Sequence, residues 1–207
     1  MASPTLNSKA NYHHGDLRKE LIKEAILIIR EDGVNALSMR KLALNVGVSR
    51  NAYTYHFKDK KTLLSAIAEE GFKIFTKRLR LTTNDNNIKL TKKRVTEFVT
   101  NYIYFAIDHA EYYELMFGQE LWASQSSTES LKKEAHQAFK NYAGQIAEYH
   151  RQGKIPITIS PLQYAETSWA TLHGMSRFLV DRIYTPESAD EMCASIINLF
   201  WAQLNPK

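Results

Sequence analysis

Residues 38–57, SMRKLALNVGVSRNAYTYHF, constrain the fold more than any other part of the chain. Leu42 and Ala43 end one apolar stripe, Val46 and Val48 flank Gly47, and Ala52 and Phe57 carry the pattern onward. The spacing predicts two short helices, roughly 38–46 and 49–56, joined by a tight turn. Such a pair needs a small residue where its helices approach, here Ala43, and a residue that tolerates positive φ at the turn, here Gly47. Ser38 and Ser49 stand where N-caps belong, each able to satisfy free amides at a helix start. Neither is followed by Glu or Gln three residues on, so the full capping box is absent. An ordinary helical hairpin is the alternative reading.

The rest of the chain keeps a helical period. Residues 1–14 read as a flexible arm ending in Tyr12, His13 and His14, and residues 16–32 as a helix striped by Leu17, Leu21, Ile22, Ala25, Ile28 and Ile29, stopped at Gly33. A longer helix runs from about Lys60 into the low 80s, and the polar run at 82–87 is the clearest linker. Beyond it, helices are expected at 91–108, 111–117, 131–152, 162–183 and 186–204, with Thr185 as N-cap and Pro186 at N1 of the last. Residues 124–130 and 153–161 read as connections, since Pro156 interrupts the strand-like Ile155–Ile159 pattern. The expected class is all-α: an arm (1–14), a helix-turn-helix domain (15–75) and a larger helical domain (76–207).

With 44% apolar and 24% charged residues the chain is of ordinary globular composition. No apolar run approaches the roughly 18 residues of a membrane span, and no apolar leader opens the chain. The one cysteine, Cys193, cannot form an intrachain disulfide and fits the reducing cytoplasm. The net charge of +5 is uneven: residues 1–82 hold 15 Lys/Arg against 8 Asp/Glu, the remainder 12 against 14. A basic first third suggests one end that binds a polyanion.

Within the second short helix, Arg50 can pair bidentately with guanine and Asn51 with adenine, while Tyr53 and Thr54 offer hydroxyl or methyl contacts. Tyr55, His56 and Lys60 suit phosphates, as do Ser38 and Arg40 at the preceding helix start, and Ser49 adds a helix N-terminus. Tyr53 packed between helices and His56 bracing the following turn are the competing roles. In the second domain Phe98, Tyr102, Phe105, Met116, Phe117, Trp122, Phe139, Tyr142, Trp169 and His173 are candidates for a ligand pocket, apolar or aromatic in its preference. Aromatics at helical spacing also serve as plain core. The apolar surface of the last two helices suits a homodimer interface.

An enzyme built on His109, Glu111 and Glu114, or on Glu134, His136 and His150, lacks any accompanying nucleophile motif, metal spacing or phosphate loop. No catalytic residue, metal or cofactor is therefore expected. A helical module that controls a protein partner is the alternative to a DNA-binding regulator.

The run YHHGDLR followed by ALSMRKLALNVGVSRNAYTYHFKDKKTLLSAIAEEGF resembles the DNA-binding domain of the tetracycline-repressor (TetR) family of bacterial regulators, continuously over residues 12–72. Trp169, His173 and Gly174 resemble the Trp-His-Gly signature of one group of C-terminal domains in that family. The resemblance implies a dimer on a pseudo-palindromic operator in double-stranded DNA, repression, and release by a small molecule bound in the second domain. The chain departs from the family pattern at Asn51, where Gly or Ala is usual, and at Thr54, where Tyr is usual.

Overall fold

The computed structural model describes residues 17–80, 90–123, 127–153 and 158–204. The expected arm, the polar run at 82–87 and most of the Ile155–Ile159 segment lie outside the described residues. Among the described residues there is no strand, and the fold is all-α. The chain divides into two compact units, Met1–Leu63 and Leu64–Lys207.

The first unit holds α1 (Leu17–Asp32), α2 (Met39–Val46) and α3 (Arg50–His56). Leu21, Ala25 and Leu42 are fully enclosed, joined by Ile28, Leu37, Ala43 and Phe57. Each large side chain removed from water in this way contributes about 1.5–3 kcal/mol. The expected caps form: the Ser38 hydroxyl accepts from the Lys41 amide at 3.1 Å, and the Ser49 hydroxyl from the Ala52 amide at 3.3 Å. Gly47 ends α2 in the left-handed region at φ 74°, and the Val48 amide returns to the Ala43 carbonyl at 2.9 Å. A side chain at this φ would cost about 1–2 kcal/mol, which is why the turn uses glycine. The Asn45 amide donates to Glu24 at 2.7 Å and Lys41 pairs with Asp32 at 2.7 Å, fastening α2 to α1. The Arg18 guanidinium lies 5.3 Å over the Phe57 ring.

α4 (Lys60–Arg80) opens at Asp59, whose carboxylate accepts from the Thr62 amide and hydroxyl at 2.8 and 2.9 Å. These bonds, the backbone amide first, hold the Asp59 carboxyl below its usual range.

The second unit contains α4 from Leu64 onward, α5 (Lys92–Asp108), α6 (Ala110–Phe117), α7 (Gln119–Trp122), α8 (Glu129–Arg151), α9 (Pro161–Val180) and α10 (Ala189–Leu204). α5 is its central helix, packed against α6, α9 and α10, and α8 packs on α9. Phe75 is the hub of an aromatic core: its ring meets Tyr102 and Phe105 at 5.0 Å and Trp169 at 5.7 Å. Edge-on pairs of this kind add about 0.5–1.5 kcal/mol each beyond their burial. α4 meets α6 at Gly71, where an added Cβ would stand 2.7 Å from the Met116 sulfur and 3.1 Å from Tyr112.

Three local features differ from the sequence expectations. α7 is an extra short turn after Gly118. α9 starts on a complete capping box, in which Ser160 accepts from the Gln163 amide at 3.1 Å and Gln163 answers at 3.2 Å. Pro186 opens a single 3₁₀ turn, Pro186–Ser188, and α10 begins only at Ala189. The Thr185 side chain makes no cap bond to the backbone.

Candidate nucleic-acid interface and effector cavity

The short helix α3 divides sharply by face. Tyr53 and Phe57, four residues apart, are buried, while Arg50, Asn51, Thr54 and Tyr55 are exposed on the opposite side. Tyr55 is 87% exposed, its ring edge-on to His56 at 5.1 Å, and His56 is half-buried. The exposed Thr54 side chain has its hydroxyl engaged within the helix, donating back to the carbonyls of Arg50 and Asn51 at 3.0 and 3.1 Å. Ser38, Arg40 and Ser49 are exposed beside this face or at the helix starts leading to it.

Two expected members are placed differently. Tyr53 is a buried side chain of the first unit rather than an exposed one. The Lys60 ammonium donates to the Val34 carbonyl at 2.7 Å, bracing the 3₁₀ turn Val34–Ala36. One of its three N–H donors is thereby used and two remain. Leu44 on α2, 79% exposed, is a large apolar side chain of the first unit that sequence reasoning passed over. Its place in an otherwise alternating apolar pattern gave no sign of that exposure.

In the second unit aromatic side chains line a partly open cavity of about 430 Å³. Met116, Phe117, Trp122, Phe139 and Trp169, all expected there, line it together with Phe72, Ala135 and His136. The size falls within the usual range for small-molecule sites. Among the described residues no formally charged side chain lines it, and the lining His136 is exposed. The Trp122 indole N–H is already satisfied by the Met116 carbonyl at 2.8 Å, which fixes the ring as a wall.

The other expected pocket residues distribute elsewhere. Phe98 and Tyr142 stack at 5.1 Å and line a smaller cavity farther along α8. Tyr102 and Phe105 are fully buried in the ring cluster around Phe75. His173 lies behind the cavity wall: its ring meets Phe117 at 4.9 Å and its Nδ1 is 2.7 Å from the Tyr113 hydroxyl. Burial pushes the His173 pKa below its ordinary value and that of Tyr113 well above its own. The Tyr142 phenol, raised by burial to about 12, bonds to Ser168 at 2.7 Å. Arg177 secures the back of this region with ion pairs to Glu114 at 2.5 Å and to Asp181.

Phe72, Ala135 and His136 were not foreseen as lining. Phe72 had a clear signal as part of the α4 apolar stripe, but nothing local distinguishes a stripe residue that meets a cavity from one that meets core.

Comparison with known proteins bears on the fold and the family. Residues 95–200 match the family model for the tetracyclin repressor-like C-terminal domain, and residues 21–67 match that of bacterial regulatory proteins of the tetR family. The tetracycline repressor protein class A from transposon 1721 of Escherichia coli is 43% identical over 49 residues, 24% of this chain and 23% of that protein. The aligned part thus spans under a quarter of this curated relative. Over nearly the full length, a protein of unknown function from Rhodococcus sp. RHA1 superposes with a TM-score of 0.79 at 28% identity, covering 95% of this chain and 99% of its own. A bacterial regulatory protein of the tetR family from Rhodococcus RHA1 shares the fold at 17% identity, with a TM-score of 0.67 over 90% of this chain and 96% of its own. With one family model spanning half of the chain and the other covering its helix-turn-helix, the chain belongs to the TetR family of bacterial transcriptional regulators.

Proposed function

We propose that this regulator binds a pseudo-palindromic DNA operator as a homodimer in the cytoplasm, represses transcription there, and leaves the operator when a small apolar or aromatic effector occupies the 430 Å³ cavity. The observation that carries the DNA-binding part is the outward polar face of α3, held rigid by a capped turn and a buried opposite face. Arg50 and Asn51 in the first turn of α3 read base edges in the major groove, and the Thr54 methyl meets a thymine methyl. Ser38, Arg40, Ser49, Tyr55 and His56 hold phosphates, joined by Lys60 through its two remaining donors, and Tyr53 supports the helix from beneath. In this division of labour residues 15–75 read DNA and residues 76–207 sense the effector and dimerise.

Dimerisation through α9 and α10 is supported by the large apolar side chains those elements leave exposed, Phe178 at 40% and Leu199 at 50%. A two-fold dimer presents two α3 helices to two half-sites, which sets the operator symmetry. The effector acts by binding better to a dimer whose half-site spacing is wrong for the operator. Met116 links the two processes: it lines the cavity and packs against Gly71 of α4, the helix that begins directly after α3.

The test is a fluorescence-anisotropy titration of the full chain on DNA from upstream of its own gene, repeated across salt concentrations. A steep salt dependence with a surviving preference over scrambled DNA is the expected result. Equal affinity for both DNAs at every salt concentration overturns sequence-specific regulation.

A further inference from the structure

Two tryptophans line the aromatic cavity, and their indole N–H groups differ. That of Trp122 is satisfied by the Met116 carbonyl at 2.8 Å. That of Trp169 has no hydrogen-bond partner among the described residues. Nor is it sealed inside the protein: the buried side-chain polar atoms without a partner are the hydroxyls of Ser65, Tyr102 and Ser176. The rings of Phe75, Tyr102, Phe139 and Tyr142 crowd the Trp169 indole at 5.7, 5.4, 5.7 and 5.5 Å. The cavity is open volume that this packed indole borders. In the Trp-His-Gly motif, His173 is engaged by the Tyr113 hydroxyl at 2.7 Å, and a Cβ on Gly174 would meet nothing within 4 Å. Trp169 is the member of that motif that lines the cavity. A donor held in place by packed rings is the kind of group that orients a ligand in an otherwise apolar site.

We propose that the Trp169 N–H is the orienting contact of the cavity, and that the effector is an uncharged fused-ring molecule with one hydrogen-bond acceptor on its edge, a ring nitrogen or a carbonyl. This rests on the effector role proposed above for the cavity. The acceptor follows from the donor, since covering an N–H with hydrocarbon and leaving it unmet is unfavourable. The ring system follows from the walls, because Phe72, Phe117, Trp122 and Phe139 gain most from a partner that packs edge-on or offset against them. Two rings follow from size: a benzene ring occupies an apolar cavity of about 150 Å³, and this one offers about 430 Å³. The lack of charge follows from a lining without a formally charged side chain among the described residues. A cation would meet the positive end of the N–H dipole, and a carboxylate would find one neutral donor in return for its lost hydration.

The test uses the full chain with quinoline and naphthalene, which differ by one ring nitrogen, at neutral pH where that nitrogen carries no proton. Binding is followed on the indole N–H signals of Trp122, Trp169 and Trp201 in proton–nitrogen NMR spectra, assigned by replacing each with Phe. Quinoline should bind about three- to ten-fold more tightly than naphthalene and move the Trp169 signal downfield, a shift that naphthalene does not give. Trp169→Phe, which keeps a ring and loses the donor, should bring the two compounds to equal affinity, read on Trp122. His136→Leu should keep the preference for quinoline. Equal affinity on the unaltered chain, an unmoved Trp169 signal in the quinoline complex, a preference that survives Trp169→Phe, or one lost in His136→Leu overturns the assignment and leaves the cavity as an effector site. If neither compound binds, the effector reading of the cavity falls with it. Should Trp169→Phe fail to fold, the two compounds on the unaltered chain decide.

Discussion

Replacing Gly71 and Gly144 by alanine, one at a time, separates the packing of the effector cavity from simple helix propensity. Both glycines lie inside helices, Gly71 in α4 and Gly144 in α8. In an open helical position Gly→Ala gains about 1 kcal/mol. Gly144 is such a position, because a Cβ there meets nothing within 4 Å. At Gly71 the same Cβ would stand 2.7 Å from the Met116 sulfur, 3.1 Å from its Cγ and 3.1 Å from Tyr112 Cδ1. Overfilling a packed site costs about 1–3 kcal/mol, with a flexible thioether toward the lower end. Gly144→Ala should therefore stabilise by about 1 kcal/mol, and Gly71→Ala should fall about 1–3 kcal/mol below it. For a chain of this size the gap corresponds to roughly 2–4 °C in Tm per kcal/mol, measured at one fixed protein concentration.

The displaced Met116 has an open direction to move, into the cavity that it lines. Gly71→Ala should consequently weaken any effector found for that cavity, and Met116→Ala should relieve both the stability loss and the crowding. A double-mutant cycle reads the coupling, expected at about 1 kcal/mol or more. If Gly71→Ala stabilises as much as Gly144→Ala, the close approach of α4 to α6 does not constrain the protein, and the link through Met116 fails.

Arg50→Ala should cost about 1–3 kcal/mol on operator DNA and little on scrambled DNA, and equal losses on both in anisotropy titrations would remove its base-reading role. Leu199→Glu, at an exposed position of α10, should leave each protomer folded and shift sedimentation from dimer to monomer; an unchanged sedimentation coefficient would place the interface elsewhere. The His173 pKa is lowered in the folded state, so the unfolded chain binds the extra proton and stability falls as pH drops below the ordinary histidine value of about 6.5. His173→Gln should flatten that part of the stability–pH curve in urea titrations; a curve that keeps its slope would assign it to other groups.

What the sequence disclosed divides along the range of the forces involved. The turn at Gly47 and the caps at Ser38 and Ser49 depend on neighbours within a few residues, and all three are recognisable from residue type and spacing. The split of α3 into a buried Tyr53–Phe57 side and an exposed Arg50–Tyr55 side is also local, since it follows the helical period. Lys60 shows where that range ends: its partner is a carbonyl 26 positions earlier, and no pattern around Lys60 announces it. The cavity lies wholly beyond it. Phe105 and Phe117 are the same residue type on successive helices of the aromatic region, yet one is fully enclosed and the other borders open volume. Which occurs depends on how α4, α6, α7, α8 and α9 fail to fill the space between them, a sum over side chains drawn from five helices. The aromatic-rich composition therefore points to a region in which a cavity can exist. The walls themselves are set by close approaches such as Gly71 against Met116, and a single methyl group at that point is expected to change them.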